Sequence, residues 1–68
     1  MSEAIRLYKL SAEQGNATAQ FNLGNCYEEG IGVKKDLNEA VRLYKLAADQ
    51  GVSFAQESLL RLTMPFFF

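Results

Sequence analysis

Glu39 to Gln56 reads EAVRLYKLAADQGVSFAQ, and Glu3 to Gln20 reads EAIRLYKLSAEQGNATAQ. The two stretches agree at Glu3/Glu39, Ala4/Ala40, Arg6/Arg42, Leu7/Leu43, Tyr8/Tyr44, Lys9/Lys45, Leu10/Leu46, Ala12/Ala48, Gln14/Gln50, Gly15/Gly51, Ala19/Ala55 and Gln20/Gln56. Every pair, from 3 and 39 onward, is offset by 36 residues. Self-similarity at a fixed period of this size marks an array of stacked supersecondary units. Ile5/Val41, Ser11/Ala47 and Glu13/Asp49 differ conservatively, as two copies with one structural task would.

Within the first copy, Ala4, Leu7, Tyr8, Ser11 and Ala12 fall at helical spacing, and Arg6, Lys9 and Glu13 take the opposite arc. This predicts a helix over 3–14, capped by Ser2, with Glu3 in the first turn where a negative charge suits the dipole. Gly15 ends it and Asn16 extends the turn. A second helix runs from about Ala17 to Glu29, with Ala19, Leu23, Cys26 and Tyr27 as its inner stripe. Small Ala19 and Gly24 let it approach the first helix closely, since Gly24 costs roughly 1 kcal/mol of helix propensity and needs a packing reason. Phe21 lies on the far side, facing the next unit. After the connection Gly30–Lys35, Asp36 caps a third helix over 37–50, with Glu39 completing a capping box. Gly51 turns the chain into a fourth helix over 53–63, and Pro65 opposes continuation. The fold class is therefore all-α: an α/α solenoid fragment of two stacked antiparallel hairpins. Residues 1–62 form the two repeats (hairpin 3–29, loop 30–36, hairpin 37–62), and 63–68 is an atypical apolar tail.

The chain has 68 residues, 49% hydrophobic and 22% charged, ordinary values for a soluble domain. A core this small rarely supplies more than about 3–5 kcal/mol without a staple or a neighbour. One Cys and no His exclude an internal disulfide and leave no zinc site. A net charge of −1 argues against nucleic acid, whose binders need a basic face. Met1 runs into the helical pattern without a charged-then-apolar leader, and no apolar run reaches the ~20 residues that cross a bilayer. The expected compartment is the cytoplasm.

The array Ala4-x-x-Leu7-Tyr8-x-x-Ser11-Ala12-x-x-Gly15-x-x-x-Ala19-Gln20-x-x-Leu23-Gly24-x-x-Tyr27-x-x-Gly30-x-Gly32-Val33-x-x-Asp36 resembles the Sel-one-like repeat, a relative of the tetratricopeptide repeat. The likeness resumes at Ala40, Leu43-Tyr44, Ala47-Ala48, Gly51, Ala55-Gln56 and Leu59, and covers the chain up to Leu62. It implies a helical solenoid whose inner surface, lined by the first helix of each hairpin, holds other proteins in signalling and complex assembly. Three departures stand out: Leu60 replaces Gly24, Thr63 replaces Tyr27, and no second Gly-x-Gly-Val loop follows. Glu57 in place of Phe21 suits an end unit, because terminal repeats are atypical. Phe66-Phe67-Phe68 makes a poor cap; folding back over the fourth helix and a truncated end are the two readings. Cysteine-rich members of the family bridge their hairpins at positions corresponding to Ala12/Gln20 and Ala48/Gln56. Those cysteines are absent, so that subfamily's β-lactam-directed activity is not carried over.

Candidate chemistry is sparse. Cys26 reads as a small buried hydrophobe, with no His to activate it. Gly30-x-Gly32 follows a helix and lacks the Gly-Lys-Ser/Thr context of a phosphate loop. Glu28-Glu29 reads as a solvated helix end, because adjacent helical residues do not face each other. Lys9/Glu13 and Lys45/Asp49 are expected surface pairs at i,i+4. Asn16-Ala17-Thr18 satisfies the glycosylation triplet, but no leader accompanies it. No catalytic, cofactor-binding or metal-ligating residue emerges, and no enzyme is expected. The oddity is Leu10, repeated as Leu46, each one turn beyond Arg6 and Arg42 beside the polar arc. One reading is a partly covered side chain at a hairpin edge. The other is a Leu-plus-Arg ladder for a protein or peptide partner, and repetition in one register favours it. The expected function is an interaction module of adaptor type, binding through Arg6, Leu10, Arg42 and Leu46. The alternative is a spacer or fragment of a longer array without binding activity. Self-association through the open repeat ends is expected of the isolated chain.

Overall fold

The computed structural model describes residues 3–63. Four helices follow one another: α1 (Glu3–Glu13), α2 (Ala17–Glu29), α3 (Leu37–Asp49) and α4 (Ser53–Thr63), with no strand among the described residues. Ser2, Pro65 and Phe66-Phe67-Phe68, to which the sequence assigned a cap, a stop and a tail, lie outside those residues. Short turns fold α2 back on α1 and α4 back on α3, and α2 packs on α3 between the hairpins. The architecture is a row of packed helical hairpins, all-α as expected. None of the described helices is long and apolar enough to cross a membrane.

Local chemistry sets the helix ends. Asn16 Oδ1 accepts from the Ala19 N–H at 2.9 Å, and Asp36 Oδ1 accepts from the Glu39 N–H at 3.1 Å. Each satisfies a backbone donor that its helix leaves orphaned. The expected capping box at Asp36 is only half made. The Asp36 N–H already donates to the Tyr27 carbonyl at 2.9 Å, and the Glu39 carboxylate is taken by Arg42 instead. That backbone bond ties the start of α3 to the end of α2. Gly15 and Gly51 hold φ of 89° and 93° at the repeated turn, a backbone region that costs other residues strain.

The core corrects the stripe expected for α1. In α3, Ala40, Leu43, Tyr44, Ala47 and Ala48 are all buried. Their counterparts in α1 divide: Ala12 is buried and Tyr8 and Ser11 half-buried, but Ala4 is exposed and Leu7 is 48% exposed, against 2% for Leu43. The cause is neighbours: α3 is packed against both α2 and α4, whereas α1 packs mainly against α2. Ile5 supplies the missing apolar contact in α1, in a cluster with Ala12, Ala19, Leu23 and Leu43.

Gly24 also has a different partner from the one its sequence position suggested. A Cβ there would stand 2.7 and 2.8 Å from ring carbons of Tyr44, so the glycine makes room for α3, not α1. Phe21 does face the following hairpin, with its ring centroid 5.8 Å from Tyr44 and 6.4 Å from Phe54. The Tyr44 hydroxyl lies 2.7 Å from Glu28 Oε1 and 2.5 Å from Asn25 Oδ1. Its single proton goes to the ionised carboxylate as the stronger acceptor. Glu28 in turn receives both arms of the Arg61 guanidinium from α4. Glu28 is therefore not a solvated helix end; its side chain is only 14% exposed, while Glu29 is exposed as expected. The Arg61 hydrogen bond holds the Glu28 carboxyl below its usual range, and burial first, then Glu28, pushes the Tyr44 phenol up.

Gly24→Ala isolates this close approach. Alanine in an exposed helix interior gains roughly 1 kcal/mol over glycine. Here the added methyl meets the Tyr44 ring, and overpacking typically costs about 1–3 kcal/mol. Urea titration should show the variant destabilised; a stabilised variant would contradict the packing described.

Candidate functional site: a cleft between α1 and α3

A cleft of about 350 Å³ opens between α1 and α3. One wall is Lys9, Ala12 and Glu13 of α1; the other is Glu39, Arg42, Leu43 and Leu46 of α3. Gly15 of the α1–α2 turn and the buried Gln20 and Leu23 of α2 complete the lining. Of the four residues singled out in the sequence, the structure brings Arg42 and Leu46 into this cleft. Arg6 and Leu10 are exposed on α1 but are not part of its lining. Leu10 is 50% and Leu46 39% exposed, so neither leucine is a core residue.

The separation follows from the stacking. α1 and α3 carry the same register, so each shows its Lys/acid edge to one side and its Arg/Leu edge to the other. The Lys9–Glu13 edge of α1 then faces the Arg42–Leu46 edge of α3. A ladder drawn through identical positions misses this, because a cleft between copies is lined by different positions of each. The repeat of Lys9 and Glu13 as Lys45 and Asp49 was the available signal.

Ion pairing also differs from expectation. Among the described residues the pairs are Glu3–Arg6, Glu39–Arg42 and Glu28–Arg61. Lys9/Glu13 and Lys45/Asp49 do not form the expected i,i+4 bridges. Arg6 and Arg42 instead hold a glutamate one turn earlier, mutually and in the open, and exposed pairs of this kind contribute little to stability. The Glu39 bond holds the Arg42 guanidinium above its usual range. Arg42 thus enters the cleft oriented by Glu39, and among the described residues Lys9 and Glu13 face it without an ion-pair partner.

The residues behind the cleft were missed in the sequence. Gln20 Nε2 donates to the Ala12 carbonyl at 3.1 Å, and Gln20 Oε1 accepts from Gln50 Nε2 at 2.8 Å. Gln56 Nε2 repeats the first bond, donating to the Ala48 carbonyl at 3.3 Å. The amide thus closes the junction that cysteine-rich relatives are expected to close covalently, and Gln50 links one copy to the next. The repeat of Gln20 as Gln56 at one register was the signal. Elsewhere, Asn16 of the Asn-Ala-Thr triplet uses its side-chain oxygen as the α2 cap. Cys26 is half-buried against the first core cluster, and burial raises its thiol pKa.

The Sel1 repeat profile matches residues 1–16 and 17–52. The chain belongs to the Sel1 repeat family. The match over 17–52 runs across α2, the connection and α3, so it contains both Gly24 and Tyr44. A curated relative, DAP3-binding cell death enhancer 1 of Rattus norvegicus, is 42% identical over 60 residues. The match covers 88% of this chain and 12% of the relative, so the chain spans about an eighth of that protein's length. No solved structure matches the chain. Sel1 repeats are non-catalytic repeats that generally mediate protein–protein interaction.

Proposed function

We propose that this chain is a protein-binding adaptor segment without catalysis of its own, and that the partner seats in the cleft between α1 and α3. The observation that carries this reading is Leu46, half-exposed on a cleft wall beside Arg42 and opposite Lys9 and Glu13. An apolar anchor flanked by both signs of charge suits a peptide or helix that buries one side chain and orients by its charges. Arg6 and Leu10, in the same register on α1, extend the surface beyond the cleft. The spacer alternative has no use for a repeated half-exposed leucine.

The rat relative's name states that it binds DAP3, which makes DAP3 the first partner to test. Immobilised DAP3 should retain the chain, and Leu10→Glu with Leu46→Glu should weaken retention by at least about tenfold. Each change should shift stability by no more than roughly ±0.5 kcal/mol, as surface substitutions do. Undiminished retention of the double variant would remove these leucines from the site. A collapsed melt would place them in the core, where a buried charge is costly.

The open ends support a second property of the isolated chain, self-association. Leu7 is exposed at one end of the stack, and Phe54 and Leu60 at the other. Sedimentation velocity over a concentration series should show a rising weight-average coefficient. A single species at all concentrations would rule this out.

A further inference from the structure

The connection from α2 to α3 shapes a pocket of about 500 Å³, lined by Tyr27, Gly32, Val33, Lys34, Lys35 and Asp36. It shares no lining residue with the α1–α3 cleft. Its backbone is pinned at both ends. The Ile31 N–H donates to the Cys26 carbonyl at 2.9 Å, and the Asp36 N–H donates to the Tyr27 carbonyl at 2.9 Å. Between those bonds Val33 packs against the first core cluster. The loop is thus held before any ligand arrives, which spares part of the ordering cost of binding.

The lining is rich in donors that lack an acceptor. Among the described residues, the Tyr27 hydroxyl has no hydrogen-bond partner, and Lys34 and Lys35 have no ion-pair partner. Lys35 feels the Glu28 carboxylate only at longer range. The N–H groups of Gly32, Val33, Lys34 and Lys35 likewise meet no acceptor among those residues. Asp36 brings a carboxylate to the lining, and its Oδ1 already accepts from the Glu39 N–H.

We propose that this loop pocket binds a carboxylate side chain in an acidic segment of a protein partner. Donors without acceptors call for a ligand that brings anionic oxygen, and hydrogen bonds to a charged acceptor are the stronger kind. In this arrangement the Tyr27 hydroxyl and the loop amides direct the oxygens, and Lys34 and Lys35 supply the charge. Asp36 favours carboxylate over phosphate, because its own charge repels a dianionic phosphoryl group about twice as strongly. The two lysines are also point charges, without the planar fork that lets arginine grip phosphate. Nucleic acid needs a longer basic track than a chain of net charge −1 offers. The pocket's role stands whether or not a partner enters the cleft.

The test titrates the full chain, followed by amide NMR, with decapeptides of glycine and serine carrying two adjacent glutamates, phosphoserines or glutamines. The glutamate peptide should shift the amides of Gly32 to Lys35 saturably, and the glutamine peptide should not. Lys34→Gln with Lys35→Gln should weaken the glutamate peptide by about fivefold or more, as the loss of two exposed ion pairs implies. Lys45→Glu makes the same change in net charge at an exposed position on α3, and should leave the affinity within about twofold. Tyr27→Phe keeps the ring in place and should still lose part of the affinity. Unmoved loop amides, equal binding of the glutamine peptide, or equal weakening by Lys45→Glu would overturn the proposal. Binding of the phosphoserine peptide without the glutamate one would overturn it as well, by giving the pocket to phosphate.

Discussion

One side chain joins three of the four helices. Tyr44 reaches from α3 over Gly24 of α2 and hands its hydroxyl proton to Glu28, which Arg61 of α4 holds from the other side. The glycine alone would weaken α2, and the carboxylate alone would be an expensive group to cover. Together they form a seat in which the ring fills the space the glycine leaves and the charge is answered by a guanidinium. How closely α3 lies against α2 follows from this seat. The distance between α1 and α3, and so the width of the cleft, follows in turn. Gln20 and Gln50 add a second link between the copies, with both heteroatoms of the Gln20 amide engaged in a buried position.

Much of this was legible in the sequence because it is local or periodic. The offset of Glu3–Gln20 against Glu39–Gln56 fixed the repeat, and Asp36, Gly15 and Gly51 marked helix ends through chemistry that acts within a few residues. What was not legible depends on which neighbour a face meets. Leu7 and Leu43 are the same residue at the same register, and one is exposed while the other is buried. Periodicity identifies a face but not its cover. For the same reason Gly24 was assigned to the wrong neighbour, and Glu28 was read as solvated although its partners stand 16 and 33 residues away in the chain. Ile5 escaped because it lies off the Ala4, Leu7, Tyr8, Ser11 and Ala12 stripe that helical spacing picked out.

The candidate site has the same character. Arg6, Leu10, Arg42 and Leu46 were grouped because the repeat makes them equivalent, and the stack separates them because a cleft between copies is lined by unlike edges. In the binding mode we propose, the interaction surface is then a property of adjacent pairs of repeats. One copy contributes Arg42 and Leu46, and the other contributes Lys9 and Glu13. Under that proposal, substitution on either edge would change partner preference without touching the Tyr44 seat behind it.

The central claim is that Tyr44 and Glu28 act as one unit holding the hairpins together. A double-mutant cycle on urea stability, with Tyr44→Phe, Glu28→Gln and the pair, measures it directly. The account predicts a coupling energy of about 0.5–3 kcal/mol, because losing either partner removes most of what the other contributes. Effects that simply add, to within about 0.3–0.5 kcal/mol, would show the two residues acting independently and would contradict it.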